Sequence, residues 1–307
     1  MNIVSLDQRT PEWHRWRLSG ITATEGAILT GRSAFGKSPL MLWKIKTGLE
    51  QETDISFIPQ VRYGILHEDD CREAWESRHD DIAVPVCGEC SEHPLFRASF
   101  DGLSSSGIPV ECKCPSEATF REAGEKGTES ELYTRYWPQV QHQMLVAEAP
   151  YAWLCVWHEG EYTEFRIPRD DGYIAELIEK GTRFWKTYVE GKKPPEADPV
   201  SDVYVPNAET ADLWKHLAKE FIEEQKEIDD LGARMKAAKA RQTERQKAFR
   251  KLLGDFRSGE AEGVRVTVSL KQGAIDTDRL LERVGMTLEE ADAFRRTPTE
   301  QIRVTLI

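Results

Sequence analysis

Two short segments set close together constrain this chain more than any other feature: SFDGL at 99–103 and VECKCP at 110–115. Read as a strand, VECKC places side chains on alternate faces. Glu111 and Lys113 then point one way, while Val110, Cys112 and Cys114 point into a core. Asp101 sits at the end of the preceding strand, before Gly102 and the polar turn SSSG. A hairpin there brings its carboxylate beside Glu111. Two carboxylates converging on one spot repel each other and call for a hard divalent cation with oxygen ligands, most naturally magnesium. Such an ion polarises a phosphodiester oxygen and lowers the pKa of a bound water, and Lys113 can orient that water or stabilise charge developing on phosphate. A salt bridge between strands, with Lys113 neutralising Glu111, accounts for the same residues, so the pattern alone leaves both readings open.

Around this pair, short apolar stretches alternate with helical patterns, as in a mixed α/β domain. PLFRASFDGL, IPVECKCP, YAWLCVWH and YTEFRIP read as strands, and residues 11–18, 22–30, 38–47, 64–77, 130–148 and 171–190 as helices. GKKPPEADPVSDVYVPN at 191–207 reads as a linker or strap. The expected division is 1–198 and 199–307. From 209 to 253, Trp214, Leu217, Phe221, Ile228, Leu231, Met235, Ala238, Phe249 and Leu252 fall on an alternating three/four spacing. That makes a long amphipathic helix or a helical hairpin, with Glu224, Gln242 and Arg245 interrupting the seam and Gly232 as a candidate break. Residues 260–307 read as a small α/β module: strand 263–270, helix 277–284, helix 287–295 and strand 302–306.

With 307 residues the chain is long enough for one core plus an appendage, or for two domains. Apolar runs are too short to cross a bilayer. The N-terminus lacks the order of a secretion signal, and six cysteines at irregular spacing do not form a disulfide framework, so a reducing cytoplasm is the expected location. The net charge of −12 argues against nonspecific coating of nucleic acid. It leaves room for an enzyme that grips DNA in a local basic groove and gathers carboxylates around metal. Charge is unevenly placed: the first 199 residues hold 22 Lys and Arg against 33 Asp and Glu, the rest 19 against 20. Segment 220–230 carries six acidic residues and one basic, and 234–251 eight basic and one acidic. Either the second strip, with Arg241, Arg245 and Lys247, touches DNA phosphates, or it is a solvated helix face.

Five segments, WHRWRLSGITATE (13–25), GILHEDDCREAWE (64–76), SFDGL, VECKCP and YWPQVQHQMLV (136–146), stand in an order that closely resembles the lambda-exonuclease or YqaJ-type viral recombinase family. This is a phage-type nuclease group of the PD-(D/E)XK superfamily, and the resemblance covers about residues 8–190. It implies a restriction-endonuclease-like α/β core, a mixed sheet flanked by helices, here followed by a C-terminal helical and β appendage. It implies Asp101 and Glu111 as ligands of Mg²⁺, with Mn²⁺ as substitute, aided by the backbone carbonyl of Cys112. Lys113 becomes the catalytic lysine, Glu68 the first acidic position, reaching the metal centre through its own side chain or a water, and Gln139 the glutamine completing the site, with Tyr136 one helical turn before it. Arg17, with Thr24 standing where a serine is common, would grip a DNA 5′-phosphate. Thr24 also lies at a helix start, where an N-cap is the structural alternative. The implied activity is 5′-to-3′ digestion of linear double-stranded DNA in phage-type recombination, in a bacterial or phage-infected cell. A homotrimeric ring and a single-strand annealing partner go with it. An endonuclease or nickase with the same site, and an inactive DNA-binding or assembly protein, are the rivals.

Other residues are open to blander readings. His67 neighbours Glu68, but adjacent helix positions point in different directions. Cys87 and Cys90 have a metal-like spacing without a second pair. Arg32 and Lys37, in the loop GRSAFGKSP, can contact DNA or water. Trp13, Trp16, Trp137, Trp153 and Trp157 fit a core better than a base-stacking platform.

Overall fold

The computed structural model describes residues 1–34, 36–53, 55–268 and 277–287. The chain divides into two compact units, Met1–Tyr204 and Val205–Ile307. The first unit is built on a six-stranded sheet in sequence order: β1 (Asn2–Val4), β2 (Ala83–Glu89), β3 (Arg97–Ser104), β4 (Pro109–Lys113), β5 (Tyr151–His158) and β6 (Glu161–Pro168). All neighbours are antiparallel except β4 and β5, which run parallel. A parallel pair needs a long crossover, supplied here by α5 (Glu117–Lys126) and α6 (Glu131–Ala147). The remaining helices of this unit are α1 (Pro11–Leu18), α2 (Ala23–Leu29), α3 (Pro39–Lys46), α4 (Pro59–His79) and α7 (Asp171–Phe184), the last running on through a π turn at Trp185–Glu190. Strands β1 and β2 and helix α5 were not foreseen from the pattern, and α4 extends beyond the expected 64–77 at both ends.

Helix starts carry their signals locally. Thr10, Ser38, Ser130 and Asp170 each accept a backbone N–H with the side chain at the head of α1, α3, α6 and α7, and proline follows the cap in α1 and α3. At α2 the capping residue is Thr22, whose N–H donates to Glu25 Oε2 at 2.8 Å. Thr24 is therefore not the N-cap: it lies inside the first turn of the helix and is exposed.

The alternation read from VECKC holds, and it decides which helix covers which face. Val110, Cys112 and Cys114 pack with Cys71 and Trp75 of α4 and with Cys155 of β5. On the other side, α6 lays Leu132, Val140 and Met144 over Leu154, Val156 and Ile167. A further cluster joins Ile21, Phe96, Phe100 and Leu145 to Leu177 of α7.

In the second unit, α8 (Ala211–Leu253) is one unbroken helix of 43 residues, so Gly232 neither breaks nor turns it. A lone glycine costs a helix only about 1 kcal/mol. Strands β7 (Ser258–Ala261) and β8 (Val264–Thr267) form a hairpin. Its two-residue turn, Glu262 and Gly263, has φ of 51° and 73°, the left-handed pair that a tight hairpin requires. Helix α9 (Thr277–Val284) follows. The expected strand 302–306 and nearly all of helix 287–295 lie outside the described residues.

Candidate active site

Ladder pairing of β3 and β4 covers Gly102 with Val110 and Leu103 with Pro109, which sets Asp101 opposite Glu111. Asp101 stands inside β3 rather than at its end. Beyond Gly102 the side chain takes over from the backbone: Cys112 N–H donates to Asp101 Oδ2 at 2.9 Å. Gly102 is required here, because a Cβ would come within 2.8 Å of Ala83 Cβ on β2.

Glu111 is 1% exposed, so its charge must be met from within the protein. Lys113 Nζ lies 2.5 Å from Oε1, the Gln139 amide donates to the same oxygen, and Gln143 Nε2 donates to Oε2 at 2.5 Å. The Lys113 ammonium also sits 4.6 Å from the centre of the Tyr136 ring, a cation–π contact. Tyr136, Gln139 and Gln143 share one face of α6 because they are spaced by three and four residues. Gln143 was missed, although its spacing from Gln139 was a usable signal. Burial and then the adjacent Glu111 charge push the Asp101 carboxyl well above the ordinary range, against the pull of Lys113. Burial works against the Lys113 cation, but Glu111 and Asp101 outweigh it and hold its pKa well above the usual lysine value.

Glu68 on α4 is near enough to add to the negative potential at Asp101, yet its Oε2 is paired with Arg9 Nη2 at 2.7 Å. Arg9 has φ of 69° in the loop leading to α1. Among the described residues no three His, Cys, Asp or Glu side chains are gathered closely enough to hold a metal ion. The acidic site is therefore a pair, with the third carboxylate turned to Arg9. His67 does not face the pair: it bonds Asp70 at 2.6 Å and stacks 4.9 Å from Trp157. Cys87 and Cys90 are buried free thiols.

Arg17 lies in the last turn of α1, stacked 4.5 Å from the Trp13 ring and 3.9 Å from Glu52. A feature that pattern reading did not find holds this corner. Lys46 of α3, fully buried, pairs with Glu25 at 2.8 Å and donates to the Arg17 carbonyl at 2.7 Å. Burial works against ionised Glu25, but Lys46 and Arg17 overcome it and keep its pKa low. The ends of α1 and α3 and the start of α2 are thereby tied together, placing Arg17 near the residue that follows Thr24. Arg32 bonds Glu176 at 2.9 Å and lies over Tyr173, and Lys37 is 3.8 Å from Glu52. Arg241, Arg245 and Lys247 are exposed on α8. Trp13 is buried and donates to Ser99 at 2.7 Å, while Trp16 donates to Glu89 at 2.7 Å. Both are structural in this setting.

Residues 12–150 match the YqaJ-like viral recombinase domain. An alkaline exonuclease (LHK-Exo) from Laribacter hongkongensis aligns with TM-score 0.52 and 24% identity over 60% of this chain and 94% of its own. The same enzyme in complex with dAMP gives the same values. A phage-related exonuclease from Haemophilus somnus aligns at TM-score 0.43 and 11% identity over 56% of this chain and 96% of its own. No curated protein matches. Among the described residues no helix is long and apolar enough to cross a membrane. The first unit thus has a mixed α/β fold similar to that of the alkaline exonuclease, and its residues 12–150 match the YqaJ-like viral recombinase domain.

Proposed function

We propose that the first unit is a metal-dependent deoxyribonuclease that degrades one strand of linear double-stranded DNA from its 5′ end. The observation that carries this reading is the buried Glu111, held by Lys113, Gln139 and Gln143 beside the Asp101 carboxylate. A salt bridge alone would need one acid and one base, whereas this site keeps a surplus carboxylate whose proton affinity is raised. Those donors fit Mg²⁺ or Mn²⁺: the Asp101 and Glu111 carboxylates and the Cys112 carbonyl are hard oxygens. Glu68 would join them on leaving Arg9. When bound, the ion supplies a Lewis acid at phosphate and a more acidic water.

The chain's own groups do the rest. Lys113 keeps its proton on Nζ and offers N–H donors to the attacking water or to a phosphate oxygen. Gln139 and Gln143 fix the Glu111 carboxylate, and Tyr136 backs the ammonium. Arg17 and Thr24 would hold the terminal 5′-phosphate. The exonuclease reading is supported by the fold neighbour solved with dAMP, and a trimeric ring and an annealing partner by the family resemblance alone. Digestion of end-labelled linear duplex with and without Mg²⁺ tests the activity. Efficient cutting of closed circular plasmid would instead favour an endonuclease or nickase.

Two outcomes follow directly. Mg²⁺ or Ca²⁺ should raise the Tm of the wild-type protein by ligand linkage, roughly 2–3 kcal/mol of added stability at a hundredfold excess over Kd. The shift should vanish in Asp101→Asn, and its persistence there would remove Asp101 from the ligand set. A 5′-phosphorylated duplex should be digested faster than a 5′-hydroxyl one, by about tenfold if one charge-assisted contact of about 1.5 kcal/mol is at stake. Arg17→Ala should erase that preference, and equal wild-type rates on both ends would refute 5′ recognition.

A further inference from the structure

Helix α8 spans 43 residues, about 64 Å at the α-helical rise. Leu217, Phe221, Ile228, Leu231, Met235 and Phe249 lie on one heptad seam along it. Four of them, Leu217, Ile228, Leu231 and Met235, are 51–60% exposed, and among the described residues α8 buries no side chain. An apolar stripe of this length is a surface built to be covered.

The charge pattern says by what. The half holding Glu220, Glu223, Glu224, Glu227, Asp229 and Asp230 is acidic, and the half from Arg234 to Lys251 is basic. Side by side in parallel, two such helices would set acid against acid and base against base. Antiparallel, each acidic half meets a basic one. We propose that α8 pairs antiparallel with α8 of a second copy of this chain.

With the two-fold axis beside Ala233, the seam closes on itself. Leu217 lies level with Phe249 of the second copy, Ile228 with Ala238, and Leu231 with Met235. The interruptions meet one another as well. Glu224 comes level with Gln242, a polar pair of the kind that fixes register in a coiled coil, and Phe221 comes level with Arg245. Segment 220–230 then faces 236–246, which holds four basic residues and one acidic. The helix's own pairs, Arg234 with Asp230 at 3.6 Å and Lys247 with Glu244 at 2.7 Å, are exposed at both partners and compete weakly. Pairing through α8 is independent of the nuclease reading and adds to whatever assembly the first unit makes.

Light scattering after gel filtration of the full chain, free of DNA, tests it. The variant E220K/E227K makes the charged residues flanking the seam all basic, and K239E/R241E makes them all acidic except Arg234. Each alone should halve the mass of the assembly with helix content unchanged by circular dichroism. Their equimolar mixture should restore the wild-type mass, because a wholly basic flank then meets one that is acidic but for Arg234. If neither variant changes the mass, or the mixture does not restore it, the proposal is overturned. If K239E/R241E only weakens duplex binding and flattens its salt dependence, the basic strip serves DNA phosphates instead, and the proposal is equally overturned.

Discussion

Replacing Asp101 by asparagine, or Glu111 by glutamine, should cost hydrolysis of end-labelled linear duplex on the order of 10³-fold or more in rate, with the chain still folded. The two changes fail for the same chemical reason and differ in their side effects. Asp101→Asn retains an oxygen for the Cys112 N–H that Asp101 accepts at 2.9 Å, so the β3–β4 junction should survive. Glu111→Gln sets an amide among three donors, Lys113, Gln139 and Gln143, that all point at a carboxylate. This second variant should therefore lose stability as well as rate, by about 3 kcal/mol, the scale for stripping a buried cation of its partner. The assay belongs well below the melting temperature of each variant, judged by circular dichroism. Robust digestion by a folded Asp101→Asn protein would sink the assignment of this site.

The second large effect is one of pH and lies one turn along α6. His142 is completely buried, with Nε2 3.1 Å from the Arg97 carbonyl and, among the described residues, Nδ1 without a hydrogen-bond partner against Gly26. Burial lowers its pKa from 6.5 to about 4, and the hydrogen bond to the Arg97 carbonyl and the charge of Glu25 only partly offset this. The unfolded chain takes up a proton below about 6.5 while the native state resists until about 4. The stabilising contribution is therefore complete above the unfolded value and is lost as pH falls toward the folded one. It amounts to about 3 kcal/mol across that window. Urea unfolding at a series of pH values should show wild type losing that much more than His142→Gln between pH 7.5 and 4. Asp101 titrates in the opposite sense, so the difference between the two proteins is the quantity to read. Parallel profiles would mean that His142 is not held neutral.

Much of this protein was written in local pattern. The alternation of VECKC placed Glu111 and Lys113 on one face and the cysteines on the other, because a strand has a period of two whatever surrounds it. The three/four spacing of α8 likewise announced a helix, since that period is a property of the backbone. Caps at Thr10, Ser38 and Ser130 mark helix starts for the same local reason. Other features depended on residues far apart in sequence. Strand β2 reads weakly by itself, and it is a strand because β1 and β3 bond its two edges. The Lys46–Glu25 pair joins residues 21 apart, each of which looks like ordinary surface charge until α2 and α3 close over them. Gln143 reached Glu111 only when α6 crossed β4 with the right face down. The pairing of Glu68 with Arg9 depends on a loop that brings residue 9 to a helix 59 residues later. Sequence by itself determined which side chains share a face, because periodicity is local. Tertiary structure decided which charges meet, because a buried ion pair or hydrogen bond is set by distance in space and leaves no spacing rule in the chain.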